Sequence, residues 1–398
     1  LNNISKELPL IFLRVCGHVL VCNDKAMELA GITKDTPQID GGTFDYETGL
    51  FTEDALGLIY DIIPKPNKEE IKVMFKQAND YLLSQGITSV ASDDFSTLPV
   101  PYELVIEALK ELYEEGLMQI RLTQQVNLPS IKLLQDFISK GYVNKDFKGF
   151  KMGPLKLLAD GSLGGRTAYL NSHYSDDSGN KGIKVFKNEE LEELIYLADS
   201  NNMDVAIHAI GDGMIDIILE SIEKSLRKTL RVNHRHSIIH AQLANKGQIN
   251  RMRDLGISAI VQPIFLNSDI AIVEKRLGKT RKEESYLFKT MYDKGIKVGF
   301  STDAPVELVN PFHNIYTAMS GKSSKNPELG VFNTTELFSF RESLECYTTT
   351  NYWLTNDEDK NYNDYIIIDK DINKCTIDEI KDISVLETYI DGKLVYKK

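Results

Sequence analysis

The sequence predicts an α/β barrel of the TIM type, (β/α)8, with a metal ion at its mouth. Three observations carry that expectation. Three short apolar runs each end in a metal-type ligand: VAIHAIGD around His208, SIIHAQ around His240 and VGFSTDAP around Asp303. A fourth run, PLKLLADGS, holds Lys156 where a strand is expected. Strand-like runs also alternate with helix-like runs over most of the chain, the pattern of a parallel sheet with crossover helices. Ligands at the C-terminal ends of several strands reach one centre when the sheet curls into a ring.

The alternation begins near residue 65. Strand candidates fall at 87–91, 120–127, 152–159, 203–209, 236–241, 257–263 and 296–302. Helical stretches at 67–86, 101–116, 131–141, 188–202, 211–226, 244–256 and 284–295 separate them, and several end in glycine. These are seven strands, and a closed barrel needs eight. A doubly wound open sheet could hold seven, so the ligand pattern, not the count, favours the barrel. Residues 1–60 show few clear strands and a glycine-rich turn, DGGTFDYETG. Residues 362–398 read as β structure.

Composition narrows the function classes. The chain has 398 residues, 42% hydrophobic and 26% charged, ordinary for a globular protein. A net charge of −12 argues against nucleic acid or an anionic membrane as the main partner and leaves a small-molecule substrate. No apolar run is long enough to span a bilayer, and the N-terminus lacks the basic start of a secretory signal. Cys16, Cys22, Cys346 and Cys375 form no CxxC pair and read as reduced thiols of a cytoplasmic protein.

Each candidate has a plain structural alternative. A lone strand-end histidine is often just hydrogen-bonded, but His208 and His240 occupy equivalent ends of consecutive strands, which makes them a metal half-site. Asp303 is a turn or N-cap aspartate before Pro305, or the carboxylate that holds and moves the proton of an activated water. Lys156, inside an apolar strand, pairs with Asp160 or is carbamylated into a metal-bridging carboxylate. Arg166, in the loop DGSLGGRTAYL, meets an anionic substrate group or makes a structural ion pair; the loop lacks the GK[ST] ending of a phosphate loop. His236 stands at an even spacing from His240, so both can face one side of a strand, and it joins Arg166 and His18 as a substrate-side candidate. His173 and His313 read as loop or helix histidines. A serine nucleophile is set aside because no GxSxG elbow is present.

The stretches KLLADGSLGGRTAYL, AIHAIGDG, RHSIIHAQ, QPIFLNSD and GFSTDAPV resemble those of amidohydrolase family 3. That family includes N-substituted formamide deformylases and exoenzyme regulatory proteins of the AepA type. The segment at 17–54 and the ending DYIIIDK…ETYIDGKLVY resemble the family too, so the likeness covers nearly the whole chain. It implies a metal-dependent hydrolase barrel over 65–350. Residues 1–64 would form a substrate-side insertion between the first and second barrel strands, and 351–398 part of a small composite β-sandwich. It further implies Lys156, His208, His240 and Asp303 as ligands for one or two divalent ions, zinc foremost, with a carbamate on Lys156 and Asp303 as proton shuttle. The expected reaction is hydrolysis of a non-peptide amide or formamide C–N bond. A regulatory, catalytically impaired barrel and an ester or lactone hydrolase are the alternatives.

The departures from the family pattern are specific. The first family strand carries an HxH pair, and the one H-x-H of this sequence, His234–His236, precedes the sixth. The sequence is therefore expected to begin after that strand and to bind metal weakly, with open sheet edges that leave room for a homo-oligomer. Ile239 stands where relatives usually place an acid, and Phe265 where they often carry histidine.

Overall fold

The structure is a computed structural model and describes residues 1–15, 17–95 and 98–398. Cys16 lies outside the described residues; Cys22, Cys346 and Cys375 are free thiols. Four short strands open the chain: β1 (Ile11–Leu13), β2 (Val19–Cys22), β3 (Gly42–Asp45) and β4 (Leu50–Glu53), forming an antiparallel sheet in the order β1-β2-β4-β3. Sequence reading finds few strands here because each has only three or four residues, too few for a period-two pattern to stand out. The glycine-rich turn is the β3–β4 hairpin. Gly49 sits at φ 67° with its Cα so close to Cys22 that a Cβ would lie 2.3 Å from the Cys22 carbonyl oxygen. Phe51 is fully buried in this unit, stacked on Phe44 with ring centroids 5.4 Å apart, beside Leu20 and Ile59.

Seven parallel strands follow: β5 (Ser89–Ser92), β6 (Arg121–Asn127), β7 (Phe150–Leu158), β8 (Val205–Ala209), β9 (Ser237–His240), β10 (Ser258–Val261) and β11 (Val298–Phe300). Their order in space is their order in sequence, from β5 at one edge to β11 at the other. They match the seven expected segments to within a few residues. β8 is buried at every position, because helices cover one face and the curled sheet encloses the other. Residues of both edge strands line one cavity of about 1880 Å³, so the sheet curls toward closure. This is the α/β architecture of a (β/α)8 barrel, with seven strands and an open seam between β5 and β11. Register fixes the site: Leu158, His208, Ile239, Ile260 and Gly299 lie on one hydrogen-bonded row.

The helices start where the sequence supplies caps. Asn67 and Glu70 form a capping box for Lys68–Ser84, and Asn245 and Gln248 one for Lys246–Leu255. No helix among the described residues is long and apolar enough to cross a membrane.

The chain ends in a three-stranded antiparallel sheet of β12 (Tyr365–Ile368), β13 (Val385–Ile390) and β14 (Lys393–Lys397). It docks against the foot of the barrel. Arg121, which opens β6, pairs with Asp364 and, at 2.7 Å, with Asp391. Lys151 on β7 reaches Asp357 at 2.6 Å, and Arg235 before β9 pairs with Glu358. Thr388 donates its hydroxyl to the Leu83 carbonyl at 2.7 Å, a contact between residues 305 positions apart.

His236 belongs to this lower end. The Val205 N–H donates to its Nδ1 at 3.2 Å, so Nε2–H donates to Asp199 at 3.1 Å. Burial pushes the Asp199 carboxyl up, but His236, Thr229 and Ser225 more than offset it and hold it below the usual carboxylate range. His234 stacks on His236 at 4.4 Å, and burial with that neighbour pulls its pKa down to about 4.

Two outcomes follow from this packing. Phe51→Ala should lose about 3–5 kcal/mol, measured as the shift in free energy of urea unfolding. For His234 the folded pKa of about 4 lies below the ordinary 6.5, so the unfolded chain takes the proton first as pH falls. Its contribution is complete above pH 6.5 and lost toward pH 4. Relative to His234→Gln, the wild type should therefore lose up to about 3 kcal/mol between those pH values, by urea unfolding at each pH.

Candidate active site

The mouth of the curled sheet gathers His208, His240, Lys156 and Asp303, which all line the same large cavity together with His18. His208 and His240 end adjacent strands, and their rings meet edge to face with centroids 4.5 Å apart. Each ring is tied to the protein through a different nitrogen. His208 Nε2 lies 3.3 Å from the Gly161 carbonyl oxygen, which can only accept, so Nε2 carries the proton and Nδ1 keeps its lone pair. His240 Nδ1 donates to the Gln262 side-chain oxygen at 2.7 Å, which leaves Nε2 free. Gln262 is held in turn, its amide donating to Ser301 Oγ at 2.7 Å and to the Ile260 carbonyl at 3.2 Å. Burial drives both imidazoles well below their ordinary pKa, so both are neutral, the form a metal requires.

Lys156 is 6% exposed, and burial lowers its pKa; Asp93 and Asp303 pull the other way without restoring it. The expected Lys156–Asp160 ion pair does not form. Asp160, fully buried, instead accepts backbone N–H groups from Tyr169 at 2.9 Å, Ile210 at 3.0 Å and Gly211 at 2.9 Å, and lies 3.3 Å from His208 Nε2. Burial raises its pKa to about 7 against those three donors.

Asp303 follows β11 at φ 55°, and His240 ends β9 at φ 73°. Non-glycine residues in left-handed backbone mark places where tertiary structure overrides local preference. Asp303 caps no helix: the next one, Pro311–Ser320, is capped by Asn310. That removes the N-cap alternative and leaves a turn carboxylate facing the cavity.

The three substrate-side candidates separate. His18 is at the mouth, its ring 4.9 Å from that of His208. Burial lowers its pKa, and the hydrogen bond and charge of Glu53 more than offset this and raise it. Arg166 makes the ion pair that sequence left open, with Nε 3.1 Å and Nη2 2.9 Å from Asp176, which Arg276 also holds. His236 sits at the opposite end of β9 from His240, so its even spacing does not bring it to the mouth. Phe265, a phenylalanine and not a further ligand, stacks on His240 with ring centroids 5.5 Å apart.

Glu53, Gln262 and Asp160 as an anchor were not found from sequence. Gln262 has a faint signal, a polar residue directly after an apolar strand; Glu53 is far away in sequence and has none. Among the described residues no three His, Cys, Asp or Glu side chains form a ready metal shell. The free lone pairs of His208 and His240, beside Lys156 and Asp303, fit part of the nitrogen and oxygen set that zinc-class ions take.

The chain as a whole matches known proteins. The family model of the amidohydrolase family aligns with residues 1–396. The amidohydrolase YtcJ of Bacillus subtilis (strain 168) is 30% identical over 416 residues, covering 100% of this chain and 76% of that protein. The N-substituted formamide deformylase of Arthrobacter pascens is 22% identical over 425 residues, covering 100% of this chain and 75% of that enzyme. A crystal structure of an uncharacterised metal-dependent hydrolase from Pyrococcus horikoshii superposes with a TM-score of 0.72 at 31% identity, covering 88% of this chain and 68% of that one. This match over nearly the whole length shows that the chain belongs to the amidohydrolase family, hydrolases that act on carbon–nitrogen bonds.

Proposed function

We propose that the chain hydrolyses an amide- or formamide-type C–N bond of a small molecule, with Asp303 as the proton-transfer residue. The observation that carries this is the complementary freeing of His208 Nδ1 and His240 Nε2 beside a buried Lys156 and a strand-end carboxylate. His208, His240, Lys156 and Asp303 would hold the divalent ion, zinc by donor chemistry; bound there, such an ion supplies Lewis acidity toward water. Asp303 accepts the proton from the attacking water and delivers it to the nitrogen. One C–O bond forms, the C–N bond breaks, and acid and amine leave. The Gly161 carbonyl and Gln262 keep the two imidazoles in one tautomer each, which leaves one ring nitrogen of each with its lone pair. Burial disfavours the charged form of Lys156, and the uncharged amine is the form that adds CO2 with loss of one proton, which supports the carbamate reading. The deformylase relative supports formamides as the first substrates to test.

Asp303→Asn should lower kcat on 4-nitroformanilide by about 10²–10⁴-fold with unchanged circular dichroism. Equal turnover in the variant would remove Asp303 from the chemistry. Treatment with a chelator should abolish release of 4-nitroaniline, and added zinc should restore it; unchanged turnover after verified metal removal would overturn the metal-dependent reading.

A further inference from the structure

One pair of side chains brings the four-stranded sheet to the rings of the site. His18, at the start of β2, and Glu53, at the end of β4, are joined twice: Glu53 N–H donates to the His18 carbonyl at 3.1 Å, and His18 Nδ1 meets Glu53 Oε2 at 2.6 Å. The Glu53 side chain is 4% exposed, and its second oxygen, Oε1, is buried without a hydrogen-bond partner. Its backbone stands at φ 47°, ψ −128°, a conformation suited to glycine. Room for the carboxylate is made across the interface by Gly161, where a Cβ would lie 2.1 Å from Oε1. A strained, desolvated glutamate with one idle oxygen is a poor way to join a sheet to a barrel. It is a good way to hold an imidazole still.

The imidazole is held toward the site. Its ring packs on His208, and it shares the cavity wall with His240 and Asp303. Nε2 has no hydrogen-bond partner among the described residues. We propose that His18 is a substrate-contacting residue, hydrogen-bonding the scissile amide group through Nε2, and that Glu53 is its positioning residue. The inference rests on the mouth being the reacting site. The N-terminal sheet is then part of the substrate pocket, and its hydrogen-bonded pair turns it from a cover into a working wall.

The test uses the full chain with zinc added, N-methylformamide as a small amide probe, its spectra recorded before turnover, and 4-nitroformanilide as substrate. With 15N-histidine labelling, N-methylformamide should shift the His18 Nε2 resonance, assigned by its loss in His18→Gln. Glu53→Gln should broaden or split the His18 ring signals. It should also lower kcat/KM about 10–100-fold with zinc content and circular dichroism unchanged, and Glu53→Asp should recover part of that loss. Absence of a His18 shift, or full kcat/KM in Glu53→Gln, overturns the inference. The two ideas fail separately: turnover without a His18 shift sinks the role of His18 alone, and a His18 shift in a chain that cleaves no amide sinks the proposed reaction alone.

Discussion

A single buried carboxylate organises the mouth of this barrel. Asp160 sits just past β7 and accepts N–H groups from the loop that follows it and from the chain leaving β8. Those three bonds join two consecutive strand ends and place a carboxyl group behind His208. Buried N–H groups must find acceptors, so the loop at 160–170 and the turn after β8 can close only around this side chain. The direction of the His208 ring, the room beside Gly161 and the path of the chain toward Arg166 all depend on it.

Around that anchor the site is built by opposition. Three of its residues, Glu53, His240 and Asp303, stand in left-handed backbone. Each interrupts regular structure where a side chain must turn inward. The cost is met by the hydrophobic core beneath, in which side chains of β7 to β11 are buried. The two central histidines are kept neutral by burial, and the lysine beside them is kept short of charge by the same cause. Low dielectric thus sets the chemical state of the site before any ligand arrives.

Much of the barrel was legible in the sequence, and the reason is local. An apolar run that ends in a histidine or aspartate announces both a strand and the end that faces the mouth, so Lys156, His208, His240 and Asp303 could be named at once. What escaped depends on distance. The Glu53 carboxylate matters only because β4 ends beside β2 and against the loop after β7. His236 misled because period-two spacing gives the face of a strand but not its end: four residues carry the chain from the foot of the sheet to its mouth. Arg166 stayed open because its partner, Asp176, lies within the same loop and could not be ranked against a ligand. The strands of the N-terminal sheet were missed because they are too short to show a period.

The ion pairs at the foot of the barrel tie the beginning of the chain to its end. Arg121 waits for Asp364 and Asp391, and Leu83 for Thr388. On a ribosome, β5 and β6 therefore emerge long before the groups that finish their lower ends. Every nascent chain passes through a stage in which the early strands hold an unpaired edge and unsatisfied charges. The C-terminal sheet acts as a latch, and a chain cut short before β13 would lose stability at strands made long before the cut.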